Sequence, residues 1–317
     1  MIVAVVVAII AILGTGAAIT ALGVARLART YQPAGIFVPV TGGRLHAVDL
    51  APAQPSRSLP VVLLHGASGN LEDQRLTLGN RLARSHRVIL IDRPGHGFSD
   101  RPGGAADASP GRQAALIAEA LVRLGVERAV IVGHSLSGAV ATALALDFPE
   151  RVAGLALLAP VTHPWKGGIS WYNTLAAAPA LGPLFARTLV VPLGLMLFAP
   201  GVESAFAPQS APTDYARLAA SRLLLRPDEF IANAQDLAAL KAFVTAQVPR
   251  YSEIKAPTVI ITGDRDRTVW PETHAQAIAA LIPNAKLIVL KDIGHMLNHA
   301  APEAIAAEID ALAKRAS

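Results

Sequence analysis

Gly133-His134-Ser135-Leu136-Ser137-Gly138 is the stretch on which the reading of this chain turns. Before it runs Ala129-Val130-Ile131-Val132, apolar and β-branched, which predicts a buried strand. After it, Ala139 to Leu146 is Ala-rich and predicts a helix. A serine between a strand and a helix sits on a sharp turn, so its neighbours must be small. Gly133 and Ser137, two residues to either side, meet that need. The N-terminus of the following helix offers free N–H groups that favour an anion beside the serine. A plainer reading of Ser135 is a helix N-cap. The residues downstream decide against it.

Two further strand-like runs end in residues that a serine nucleophile requires. Thr258-Val259-Ile260-Ile261-Thr262 leads into Gly263-Asp264-Arg265-Asp266, and Lys286-Leu287-Ile288-Val289-Leu290 leads into Gly294-His295. Serine, then aspartate, then histidine, each just past the end of a predicted parallel strand, places all three at the edge where open α/β sheets carry their sites. A serine hydroxyl is a poor nucleophile until a base takes its proton. An imidazole, which titrates near neutrality, is suited to that task.

In these motifs the sequence resembles the α/β-hydrolase fold family, over about Phe37 to Ala313. His65-Gly66-Ala67 after Val61-Val62-Leu63-Leu64 resembles the oxyanion-hole strand end. Asp92 to Ser99 resembles the D-x-P-G-x-G-x-S turn. Gly133 to Gly138 resembles the nucleophile elbow, with Ser137 where glycine is commoner. Gly263 to Asp266 and Gly294-His295 resemble the acid and histidine turns. The resemblance implies a mostly parallel central sheet with helices on both faces and a helical cap insertion. It implies Ser135 as nucleophile, His295 as base and acid, Asp266 as orienting acid, and the backbone N–H groups of Ala67 and Leu136 as the oxyanion hole. Asp264 is the rival acid and His299 the rival histidine. His65 and His96 are expected to be structural or to line the pocket, and His134 to be packed. Asp92 is expected to bond local backbone N–H groups.

The expected organisation is an N-terminal membrane anchor over residues 1–30, a core over 31–160 and 251–317, and a cap or lid over 161–250. Val161 to Val248 loses the strand–helix alternation and is rich in Pro, Ala and Leu. Trp165, Trp171, Tyr172, Phe185, Met196, Phe198 and Phe206 are read first as cap packing, and second as an acyl-binding face or a lid surface touching lipid. Ala51 to Pro60 is a Pro/Ser-rich loop, and Leu71 to Arg84 a helix.

Ile2 to Ala25 carries no charge and is long enough to cross a bilayer. A cleaved signal peptide would want positive charge before its apolar run, and none is present beyond the α-amino group. Arg26, Arg29 and Arg44 follow, which by the positive-inside tendency puts the domain on the cytoplasmic side; a periplasmic or secreted location after signal cleavage is the alternative. The net charge of +5 is not clustered into a basic block, so no nucleic-acid partner is expected. Cysteine is absent, which excludes thiolate catalysis and disulfides. No cofactor and no metal are expected.

The reading is a membrane-anchored serine hydrolase cleaving a small, apolar carboxylic ester. C–C bond hydrolysis, amide or peptide hydrolysis and perhydrolysis remain open on the same residues. A non-catalytic membrane-associated binding protein is the alternative of a different class.

Overall fold

The computed structural model describes residues 1–52 and 58–316. The middle of the Ala51–Pro60 loop lies outside the described residues. Eight strands form one sheet: β1 (Ile36–Val40), β2 (Gly43–Leu50), β3 (Val61–Leu64), β4 (Val88–Ile91), β5 (Ala129–His134), β6 (Val152–Leu158), β7 (Thr258–Gly263) and β8 (Lys286–Leu290). Their spatial order is β1-β2-β4-β3-β5-β6-β7-β8. The β1–β2 hairpin and the β2–β4 pair are antiparallel, and every other pairing is parallel. From β3 the chain goes first to β4 on one side, then returns to β5 on the other. That reversal is a topological switch point, and the crevice beyond the C-terminal ends of β3 and β5 is where such sheets bind ligands.

The inner parallel strands bury both faces, which is why they read as unbroken apolar runs, while the edge strand β8 stays partly exposed. Val61 to Leu64, Val88 to Ile91 and Val152 to Leu158 are buried at every position. Alternate side chains then separate into two cores. Val62, Leu64, Ile89, Ile91 and Ile131 pack under the helices Pro110–Arg123 and Ser137–Asp147. Val61, Leu63, Val88, Leu90 and Val130 pack against Ile305, Ile309 and Leu312 of the helix Pro302–Ala316. A core residue such as Leu63 is fully enclosed, so Leu63→Ala would cost about 2–5 kcal/mol.

The helix expected over Leu71 to Arg84 is present but interrupted. An α turn at Leu71–Gln74 widens into a π segment at Arg75–Gly79 before a last turn at Asn80–Leu82. A π-bulge adds a residue to one turn, which a pattern of 3.6-residue periodicity does not reveal.

Between β6 and β7 the chain is helical, with the main helices at Trp171–Ala177, Leu181–Thr188, Val190–Phe206 and Pro227–Gln247. Phe185, Ala186, Val190, Val191, Leu225 and Ala234 form a third apolar cluster there. The N-terminal helix, Ile2–Thr30, stands largely exposed but docks on this cluster through Leu27. Gly16 and Thr20 of the same helix are buried. A Cβ at Gly16 would collide with the Thr188 carbonyl, and one at Gly23 would meet Val191 at 2.9 Å, so both glycines allow close helix contact.

Candidate active site

β5 delivers Ser135 into a left-handed turn, with φ +55°, a region a non-glycine residue enters only under constraint. The constraint is visible. Ser135 N–H donates to the Leu158 carbonyl (2.9 Å), and the Ser135 carbonyl accepts from Gly138 N–H and Val161 N–H (both 2.9 Å). Gly133 is required because a Cβ there would strike the Ser137 backbone, and Gly138 because one would strike Pro160. The serine thus stands at the start of the helix Ser137–Asp147, held from both sides.

The loops after β7 and β8 bring two side chains to it. The Ser135 hydroxyl lies 3.0 Å from His295 Nε2, and His295 Nδ1 lies 2.8 Å from Asp266 Oδ2. The other carboxylate oxygen, Oδ1, accepts from the N–H groups of Thr268 (2.8 Å) and Val269 (2.9 Å), so the acid is fixed in a local turn with Oδ2 left for the imidazole. All three side chains are nearly buried: Ser135 is 8 % exposed, Asp266 5 % and His295 6 %. Asp264, the rival acid, accepts instead from Asp292 N–H (2.7 Å). His299, the rival histidine, bonds Asp73 (2.8 Å) in a separate buried cluster with Tyr215 and Asn298.

The loop after β3 supplies the remaining wall. Gly66 packs so close that a Cβ would sit 3.0 Å from the Ser135 Cβ. The Gly66 carbonyl accepts from His65 Nδ1 (2.8 Å) and from Arg93 Nη2 (3.1 Å). In a planar trans peptide the N–H points opposite to the C=O. Pinning the Gly66 carbonyl from behind therefore aims the Ala67 N–H away from Arg93. Among the described residues, neither the Ala67 nor the Leu136 amide has a hydrogen-bond acceptor.

His65, His96 and His134 are packed in the interior. Burial, reinforced by the Arg93 charge, lowers His65 to about 3; its Nε2 accepts from Arg93 N–H (3.0 Å). Burial, then the neighbouring His295, lowers His134 to about 4; its Nε2 lies 3.2 Å from the His295 carbonyl and braces that turn. His96 is fully enclosed and driven well down by burial. Neither His65 nor His96 is exposed to the site. Asp92 accepts from Phe98 N–H (3.0 Å) and also from Leu71 N–H (2.8 Å), and it additionally pairs with His46 (2.7 Å).

Two features of the site do not announce themselves in the sequence. Ser137, where the resembling motif more often has glycine, donates its hydroxyl to the His65 carbonyl (2.5 Å), tying the serine's helix to the Gly66 loop. Arg93 is wholly buried. It donates to the His65 carbonyl (3.2 Å), to Gln113 (2.9 Å) and to Asp236 (2.6 Å) of the helix Pro227–Gln247. The only cue for Arg93 was its place beside Asp92 in a turn motif. Among the described residues, no group of three or more His, Asp or Glu side chains is placed to hold a metal ion.

A serine on a strand-to-helix turn at the switch point of a mostly parallel sheet defines a class of hydrolytic site. The sequence model of the alpha/beta hydrolase fold family matches residues 60–302, and the chain belongs to that family. Among its relatives is a 2-hydroxy-6-oxo-6-phenylhexa-2,4-dienoate hydrolase of Burkholderia cepacia, 30% identical over 246 residues that cover 74% of this chain and 80% of that one. Lipase 1 of Psychrobacter immobilis is 27% identical over 246 residues, 75% of this chain and 71% of the lipase. A solved structure described as a membrane phospholipase A, a bacterial virulence factor, superposes with TM-score 0.69 at 21% identity, over 99% of this chain and 96% of that one. At that identity the likeness concerns the fold alone, and it takes in the N-terminal helix. The chain is thus a hydrolase related both to C–C bond hydrolases and to lipases.

Proposed function

We propose that the chain is a serine hydrolase of lipophilic carboxylic esters, held at a membrane by its N-terminal helix. The observation that carries this is the His295 ring, within hydrogen-bond reach of both Ser135 (3.0 Å) and Asp266 (2.8 Å). His295 Nε2 takes the Ser135 proton as Oγ attacks the ester carbonyl. Asp266 holds the Nδ1–H tautomer and stabilises the imidazolium. The developing oxyanion rests on the unoccupied N–H groups of Ala67 and Leu136, where each donor is worth about 10²–10³ in rate. His295 then passes its proton to the leaving alkoxide. A water molecule, deprotonated by the same ring, cleaves the acyl-enzyme and restores the Ser135 hydroxyl.

The apolar cap supports a lipophilic acyl group, as does the lipase among the relatives. The membrane role rests on a 29-residue helix whose most apolar 18-residue stretch has mean hydropathy 2.8, packed on the cap through buried Gly16 and Thr20, as expected of a retained anchor rather than a discarded leader. Arg26 and Arg29 after the apolar stretch favour a cytoplasmic catalytic unit.

A second reading is C–C bond hydrolysis of a dienoate, favoured by the identity to the Burkholderia cepacia enzyme. The two are separated by assaying p-nitrophenyl esters from acetate to palmitate beside 2-hydroxy-6-oxo-6-phenylhexa-2,4-dienoate, with Ser135→Ala as control. Ester turnover that vanishes in the variant is expected. Turnover of the dienoate alone would put the second reading in its place.

A further inference from the structure

The N-terminal helix and the cap are not independent bodies, and their contact fixes where the cap must lie. The uncharged stretch Ile2–Ala25 is about 36 Å long at 1.5 Å per residue, enough for a hydrocarbon core of about 30 Å. Arg26 is its first side-chain charge, at the end nearest the catalytic unit. The cap touches the helix at Gly16, against Thr188, and at Gly23, against Val191. Those contacts fall about 15 Å and about 5 Å on the apolar side of Arg26. If Arg26 marks the membrane surface, the Thr188–Val191 junction is already below it.

The cap segments on either side of that junction have the surface this position demands. From Leu181 to Phe206 the sequence carries only Arg187 and Glu203 as charges. The helices Leu181–Thr188 and Val190–Phe206 meet at a bend of 70°. Leu184, Leu195, Met196 and Leu197 are 51 %, 67 %, 75 % and 62 % exposed. Arg187 turns to Asp228 (3.1 Å) at the start of the next long helix. Trp171 and Tyr172 are exposed on the neighbouring cap helix, residue types that favour a membrane–water boundary.

We propose that the helices Leu181–Thr188 and Val190–Phe206 are embedded in the lipid bilayer together with the N-terminal helix, as one apolar unit. The proposal rests on the membrane role given to the N-terminal helix above. The second embedded helix runs out of the lipid to the catalytic turn: a Cβ at Gly294, beside His295, would strike the Ala207 carbonyl. Insertion thus brings the triad to headgroup depth, where the ester carbonyl of a membrane-resident amphiphile lies.

The absence of cysteine allows a direct test. Full-length protein carrying a single nitroxide-labelled cysteine at Ile9, Met196 or Val122, all exposed, is reconstituted into phosphatidylcholine/phosphatidylglycerol vesicles. Its collisions with oxygen, which partitions into lipid, are compared with those of a water-soluble nickel chelate. Labels at Ile9 and Met196 are expected to favour oxygen at least threefold relative to Val122. A Met196 label that behaves like Val122 while Ile9 is in lipid overturns the embedded cap and leaves the anchor standing. Both labels in water would overturn the anchor as well. Neither result depends on catalytic activity, so failure of the hydrolase reading is seen separately.

Discussion

The two halves of the helical insertion between β6 and β7 differ in how much polar contact they add to their apolar packing. The later half, Pro227–Gln247, packs Leu240 and Val244 into the main apolar core and adds polar and charged contacts to the loops around the site. Asn233 accepts from Ser68 N–H (2.7 Å), Asp236 from Arg93 (2.6 Å) and Arg101 (2.9 Å), and Glu229 from Gly97 N–H (3.2 Å). The earlier half, Leu181–Phe206, makes its main contacts through apolar packing against the N-terminal helix and leaves leucines and a methionine bare. Polar contacts have preferred directions, so the later half can orient the loop beside Ser135. Apolar contacts are non-directional, so the earlier half is suited to a fluid partner. One insertion thus combines a clamp of polar ties to the loops around Ser135 with an exposed apolar face, the face that the proposed bilayer contact would use.

The largest effect belongs to Ser135 itself. Ser135→Ala should lower ester kcat by about 10⁴-fold or more, measured against p-nitrophenyl butyrate, with the urea midpoint barely moved. Next comes the clamp. Asp236→Ala leaves the buried Arg93 without its carboxylate, and should cost about 3–5 kcal/mol in urea denaturation along with a fall in kcat. An unchanged midpoint would mean that the clamp contributes nothing.

Glu229 gives the clamp a pH dependence. Burial, against the opposing pull of Arg226, raises its carboxyl to about 7 from the ordinary 4.5. The folded protein therefore keeps a proton that the unfolded chain releases, so this contribution is full below pH 4.5 and is lost as pH rises to about 7. The loss is up to about 3 kcal/mol. Glu229→Gln should flatten it, which urea midpoints at pH 5 and pH 8 would reveal.

Asn233→Ala removes the acceptor of the Ser68 amide and should cost about 1–2 kcal/mol. Its kcat should fall more than its KM rises, because the loop beside Ser135 is loosened. The smallest effect is on the other half. Leu195→Ser, on the bare face, should shift stability in detergent by no more than about 0.5 kcal/mol. A large loss there would erase the contrast between the halves.

Much of the fold was readable because buried parallel strands leave unmistakable traces: Val61-Val62-Leu63-Leu64 and Ala129-Val130-Ile131-Val132 admit few other structures. Ser135, Asp266 and His295 were legible for a related reason. Ser135 and Asp266 follow such strands and His295 the partly exposed edge strand β8, each within a few residues of glycines that tight turns require. The clamp was not legible. Arg93 and Asp236 are far apart in sequence, and neither the arginine nor the aspartate carries a local sign that it will be buried against the other. The π segment at Arg75–Gly79 and the bond from Ser137 to the His65 carbonyl are likewise products of tertiary packing. Local patterns report what a residue's neighbours demand, and long-range partners are invisible to them.

The central claim is that Ser135 is a nucleophile activated by His295. The most direct measurement is the intact mass of the protein after exposure to a fluorophosphonate probe, for the wild type, Ser135→Ala and His295→Ala. The account predicts a single adduct on the wild type, mapped to Ser135, with none on Ser135→Ala and labelling slowed by orders of magnitude in His295→Ala. An unlabelled wild type, or an adduct that persists in Ser135→Ala, would contradict it.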